Sequence, residues 1–144
     1  MIEFTVYGIP KGKARPRFVR TKKGVRTYTP KSTETYQNDV LSAYMDKCQG
    51  EKLNGQIWAR MTAYFTIPKS VPKKHRAGMI WYDKKPDVDN IAKSVLDALQ
   101  GIAYDDDKQI VTLIIDKRYG DTARVEVKLG ELFNDEKGSS GGNL

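Results

Sequence analysis

The sequence predicts an α/β fold: one compact domain with a mixed four-stranded sheet and two helices, in the order β-α-β-α-β-β. Three observations lead there. A chain of 144 residues can bury a real core but is too short for two domains. Four apolar stretches read as strands, alternating at Ile2, Phe4 and Val6, at Ile57 to Ile67 and at Ala123 to Leu129, and continuous from Ile110 to Ile115. Two others repeat at the helical period, Tyr36, Val40, Ala43, Tyr44 and Cys48, then Val88, Ile91, Val95, Ala98 and Leu99.

The first strand stops at Gly8-Ile9-Pro10. Lys11 to Thr29 follows, poor in aliphatics and rich in lysine and arginine, too long for an ordinary connection and too basic for a core. Thr29-Pro30 opens the first helix, with threonine as cap and proline in the first turn, and Gly50 closes it. In the strand ending at Pro68, Trp58 and Tyr64 fall on the face opposite Ile57, Ala59 and Met61, so the sheet is expected to be covered on both sides. The second helix starts near Asp87, after Pro86, and ends near Gly101, placed for a left-handed cap. Ile110 to Ile115 reads as a strand buried on both faces, Asp116 to Asp121 as a hairpin connection, and Ala123 to Leu129 as its antiparallel partner. Residues 1–133 form the expected domain, and residues 134–144, rich in Gly and Ser, a disordered tail.

A net charge of +7 favours a polyanionic partner, and nucleic acid is the better choice. A membrane surface would satisfy the same charge, but the sequence has no long apolar run, signal-like start or basic amphipathic helix. Cys48 is the sole cysteine, which excludes an internal disulfide and a cysteine-rich zinc site. His75, inside a run of positive charges, reads as a solvated loop residue. A bacterial cytoplasm, or that of a phage-infected cell, fits this usage.

Against that positive background, Lys84 to Gly101 and the stretch after it concentrate acid. Asp87 and Asp89, at i and i+2 on a helix entrance, can turn toward one point, and Lys93 lies one turn further. Asp105, Asp106 and Asp107 stand just before a strand expected to pack beside that helix. Oxygen ligands without histidine or cysteine suit Mg²⁺, with Mn²⁺ as substitute, and such a cation can stabilise the charge that develops as a phosphodiester is cut. Each acid also has an ordinary use: Asp87 as an N-cap, Asp89 with Lys93 as a surface pair, Asp105 to Asp107 as a solvated turn. Only the constellation favours chemistry.

Two basic segments flank it. Lys13, Arg15 and Arg17, interleaved with Phe18 and Tyr28, read as phosphate contacts or as a solvated loop. Lys73, Lys74, Arg76, Lys84 and Lys85 accompany Trp81 and Tyr82, aromatics that either support an exposed base or cap the core. Lys117 could reach a phosphate or sit on the rim.

The order Asp-x-Asp-Asn, Lys, Asp-Ala-Leu, then Asp-Asp-x-Gln before a strand resembles the RusA family of Holliday-junction resolvases, in its phage-type members. Lys13-Ala14-Arg15-Pro16-Arg17-Phe18, Tyr28-Thr29-Pro30, Tyr36 and Lys117 extend the resemblance over most of the chain. It implies a RusA-like fold and a homodimeric, Mg²⁺-dependent endonuclease that nicks four-way DNA junctions symmetrically. By matching positions it assigns Asp87, Asp89 and Asp107 as catalytic acids and metal ligands, Asp106 as their neighbour, and Lys93 as catalytic lysine. Three consecutive aspartates stand where the family has two; Gln109 favours Asp106 and Asp107 as the pair, and a one-residue slip would bring in Asp105. The rivals are a Mg²⁺-dependent nuclease for flaps or single strands, and a non-catalytic DNA-binding protein with a structural cation.

Overall fold

The computed structural model describes residues 1–14, 17–28 and 30–132, with the backbone alone at 17, 27 and 28. The strands are β1 (Ile2–Tyr7), β2 (Arg17–Thr21), β3 (Gly24–Tyr28), β4 (Ile57–Thr66), β5 (Ile110–Gly120) and β6 (Arg124–Glu131). The helices are α1 (Lys31–Cys48), α2 (Lys73–Arg76) and α3 (Val88–Leu99), with a 3-10 turn at Asp107–Gln109. A mixed α/β domain with a four-stranded sheet is present, as expected, but its element order differs from the predicted one.

The predicted order lacked a hairpin: β2 and β3 pair antiparallel inside the basic stretch expected to be a loop. Its strands mix arginines with apolar and β-branched residues around a glycine with φ +121, and residues 18–26 are exposed, so no apolar period marks the pair. The expected disordered tail, Arg15 and Thr29 lie outside the described residues; α1 starts at Lys31 with Pro30 in the cap position, so the proline precedes the first turn in which it was expected. The short α2 is also an addition.

The sheet order is β1-β6-β4-β5. β5 runs parallel to β4, with α3 in the connection between them. β6, expected as the hairpin partner of β5, instead lies between β1 and β4, antiparallel to both. Val125, Val127 and Leu129 are fully buried there, which a central strand requires. β5 itself runs on to Gly120, is an edge rather than a doubly buried strand, and exposes Val111, Leu113 and Ile114. An apolar run cannot say which strand sits in the middle.

α1 and α3 pack on one face over Phe4, Ile57, Met61 and Leu129, with Val40, Tyr44, Ile91, Val95 and Leu99 facing inward. Full burial of each such side chain contributes about 1.5–3 kcal/mol. The expected cover on the second face is supplied by side chains rather than by helices. Trp58 lies so flat against Gly130 that a Cβ there would come within 2.5 Å of the indole, and Tyr64 crowds Gly120 in the same way at 2.9 Å.

Of the cap expectations, Gly101 takes φ +84 just past α3. Cys48 is the last residue of α1, packed at the core margin, and His75 is exposed on α2.

Candidate nucleic-acid and metal site

The entrance of α3 is positioned from β5. Tyr82 N–H bonds the Lys117 carbonyl at 3.1 Å and Tyr119 N–H bonds the Ile80 carbonyl at 2.9 Å, so Ile80–Tyr82 lies along the outer edge of the strand. The Tyr82 ring stacks on Phe65 with centroids 3.7 Å apart, and its hydroxyl donates to the Lys85 carbonyl. Tyr82 therefore serves packing. Trp81 is exposed, with the Arg118 guanidinium 4.4 Å from its ring centre. Lys117 donates to the carbonyls of Lys84 and Pro86. Of the two expected uses, phosphate contact and rim, this side chain is committed to neither: it holds the turn into α3.

Asp87 is the N-cap residue in extended conformation and Asp89 lies in the first turn; both are exposed. Neither carboxylate is engaged by another described side chain. Lys13 N–H bonds the Asn90 carbonyl, and Gly12 sits so close to Pro86 and Asn90 that a Cβ would meet both at 3.0 Å. The start of the basic stretch is thus laid across the first turn of α3.

Lys93 does not turn toward Asp89. Its ammonium lies 3.6 Å from Asp97, one turn further on, and Lys13 bonds the other oxygen of the same carboxylate. Asp97 is 16% exposed, and the two lysines balance it. Its spacing from Lys93 was a readable i,i+4 signal, but nothing in the sequence pointed to Lys13 as second partner.

The second group of acids forms at the far end of α3. The Tyr104 hydroxyl lies 2.6 Å from the Leu96 carbonyl and 2.8 Å from Asp107 Oδ1, its single proton shared between these two acceptors, and the Gln100 side-chain amide nitrogen faces both Asp107 oxygens at 2.8 and 3.0 Å. Burial, then the bond to Asp107, then the charges of Asp107, Asp97 and Asp106 push the Tyr104 hydroxyl well above the usual tyrosine range. Asp106 caps the 3-10 turn by accepting from Lys108 N–H, while Gln109 accepts from the amides of Asp105 and Asp106 and donates to the Gly55 carbonyl. Asp105 pairs with Lys52 at 2.5 Å. Tyr104 and Gln100 were missed by sequence reasoning, since their partners are distant carbonyls and a carboxylate that only folding brings near.

One consequence corrects the expectation of a single four-carboxylate pocket. Asp87 and Asp89 stand by Lys117 near the end of β5, whereas Asp107 precedes its first residue and is held at the level of Leu96 and Gln100. Asp89 and Leu96 are seven residues apart, about 10 Å along the helix axis. Among the described residues no three acid, histidine or cysteine side chains gather closely enough to hold a metal ion. The donor chemistry still fits Mg²⁺ at Asp87 and Asp89, because that ion keeps several waters and commonly takes one or two carboxylates plus substrate phosphates. A four-acid cage within one chain does not fit.

Of the expected phosphate contacts, Lys73, Lys74, Lys84 and Lys85 are exposed. Arg76 bonds the carbonyls of Val71 and Lys69, closing its own loop. Arg15 lies outside the described residues, and Arg17 is described by its backbone on β2. Among the described residues no helix is long and apolar enough to cross a membrane.

The family model for endodeoxyribonuclease RusA matches residues 8–130, which takes in both acid groups and the basic segments. A curated relative, the uncharacterized protein YqaN of Bacillus subtilis (strain 168), is 34% identical over 137 residues, 91% of this chain and 96% of the relative.

Proposed function

The chain belongs to the endodeoxyribonuclease RusA family, and on that premise we propose that it is a Mg²⁺-dependent endonuclease acting on branched DNA, resolving four-way junctions by paired symmetric nicks. The observation that carries the chemistry is the exposed pair Asp87 and Asp89 at a helix entrance, in a chain of net charge +7 and next to Lys84 and Lys85. Two unengaged carboxylates amid positive charge suit a cation shared with a phosphate.

In this reading Asp87 and Asp89 would hold Mg²⁺, or Mn²⁺ in its place. When bound, the ion would polarise the scissile phosphate and lower the pKa of a water. The chain's own part is positional. Lys84 and Lys85, with Lys73, Lys74, Lys13, Arg15 and Arg17, attract the backbone and set its register without reading sequence. Lys93, now against Asp97, is close enough to exchange that carboxylate for a phosphate oxygen and stabilise charge there. Lys117 keeps Pro86 and Asp87 in place. Asp106 and Asp107, in the turn before β5, form a separate acidic pair near the far end of α3. Paired nicks call for two sites about a twofold axis, hence a homodimer.

The test is an immobile-core four-way junction, compared with Y-shaped and linear DNA, with nicks mapped on all four strands. Mg²⁺-dependent, symmetric nicks confined to the junction are expected. Asp89→Asn should abolish cleavage while leaving junction binding and melting temperature near wild type. Equal cutting of the Y-shaped and linear substrates would replace this reading with a flap or single-strand nuclease.

A further inference from the structure

At the other edge of the sheet from β5, β1 bonds β6 and no other strand among the described residues, in continuous register and without a bulge. Gly8 N–H donates to the Ala123 carbonyl at 3.0 Å, which fixes the alternation along the strand. Ile2, Phe4 and Val6 turn their amides toward β6, while Glu3, Thr5 and Tyr7 turn theirs away from the sheet. The Cys48 thiol, 3.5 Å from the Glu3 carbonyl, marks that outer side. Among the described residues no backbone group meets the amide or carbonyl of Thr5 or Tyr7 there. Edge strands are ordinarily blunted by lysine, proline or a bulge, and Ile2–Tyr7 has none of them.

A groove of about 670 Å³ runs beside this edge, between β1 and the stripe Asp39, Ser42, Ala43 and Asp46 of α1. Phe4, Val6 and Ala43 give it apolar surface. Asp39 and Asp46 are two turns apart, about 10 Å along the helix axis. Both are exposed, and no ion pair or hydrogen bond engages either among the described residues. Glu3 adds a third carboxylate, loosely held by Lys128 at 4.0 Å, and Lys47 is the one cation in the described lining. In a chain of net charge +7 this groove has the opposite sign.

We propose that the β1 edge is a docking site for an extended basic segment of a partner protein, which adds beside β1 as a further strand and sets a lysine or arginine at every second position against Asp39 and Asp46. The outward amides and carbonyls of Thr5 and Tyr7 supply the ladder, and the carboxylates of the groove select the sequence. Charge decides against other occupants. DNA would bring phosphates against three carboxylates. A second copy paired through its own β1 would set the same acids against each other across the axis, and a copy using any other element would leave an edge free to propagate. Residues 134–144 of this chain carry two acids and one lysine, the wrong sign for the groove. Three strand spacings, about 14 Å, separate β1 from β5, where Lys117 holds the entrance to Asp87 and Asp89. A docked segment therefore leaves those acids free, and the docking does not depend on the nuclease reading.

The probe is a short acetylated peptide alternating lysine and valine. Its controls are a glutamate and valine counterpart, and the lysine and valine peptide with every amide N-methylated, which keeps the charge and removes the backbone donors. Titrated into the full chain and followed by fluorescence anisotropy and amide exchange, the first peptide alone should bind saturably and slow exchange at Thr5 and Tyr7. Asp39→Asn combined with Asp46→Asn should weaken binding about tenfold, the worth of two exposed ion pairs, at an unchanged melting temperature. Thr5→Pro, which removes an outward N–H and no bond to β6, should weaken it as well. Equal binding of the N-methylated peptide, unchanged exchange at Thr5 and Tyr7, or full binding by the double aspartate variant would overturn the proposal. So would slow exchange at those amides in the protein alone that is lost on dilution, which would give the edge to a second copy, or slowing by a single-stranded oligonucleotide in place of the peptide.

Discussion

The Lys117 ammonium sits between two backbone carbonyls, Lys84 at 2.5 Å and Pro86 at 2.8 Å, so one side chain of β5 fixes where α3 begins. Lys117→Met retains the stem against Tyr82 and removes the donors. A loss of about 1–2 kcal/mol in urea denaturation is expected, with faster amide exchange around Asp87 to Ile91. Unchanged exchange there would mean that packing alone seats the helix.

Tyr104 joins helix to acid corner. Tyr104→Phe should cost about 1–2 kcal/mol through the missing bonds to Leu96 and Asp107. The pH dependence carries a sign that can be checked. Burial pushes the Tyr36 hydroxyl up to about 12 and raises those of Tyr44 and Tyr104, so the folded state keeps protons that the unfolded state gives up. Stability should hold below pH 10 and fall as pH rises from there through 12. The fall should be shallower in Tyr104→Phe, and equal slopes would show that its hydroxyl titrates alike in both states.

Asp97 is the carboxylate that two lysines share. Asp97→Asn should lower stability by about 1–2 kcal/mol, since Lys13 loses its charged partner in a half-buried setting. Because it frees Lys93 for the phosphate, it should leave the cleavage rate of the folded protein undiminished, whereas Asp89→Asn should abolish cleavage and spare stability. Calorimetry on both variants separates the two roles; equal melting temperatures would remove Asp97 from the framework.

Arg15 and Arg17 are predicted to touch phosphate. Changing both to Ala should weaken junction binding and make its dependence on salt less steep, by about one in log–log slope for each phosphate that an arginine no longer neutralises. Binding titrations at several salt concentrations give that slope directly, and an unaltered value would place both arginines away from the backbone.

Periodicity made α1, α3, β1 and β4 legible, because each buries one face and the spacing of its apolar residues records that face. The β2–β3 hairpin was not legible, since a strand pair that buries little leaves almost no apolar period, and its charges read as a loop. β5 misled in the opposite sense. Its continuous Ile, Val and Leu character is that of a central strand, yet it stands at the edge with those side chains open. The candidate acids were named from the sequence, but their grouping was not: Tyr104 and Gln100 draw Asp107 toward the end of α3.

By itself the sequence determined an α/β domain of positive charge with carboxylates on a helix entrance, because composition and local spacing are properties of neighbouring residues. Tertiary structure alone decided that β6 enters the middle of the sheet, that β5 is left at its edge, and that Asp87 and Asp89 face one end of α3 while Asp107 is bound at the other. Those outcomes depend on which strands pair and on hydrogen bonds between residues far apart in the chain, and no local pattern encodes them.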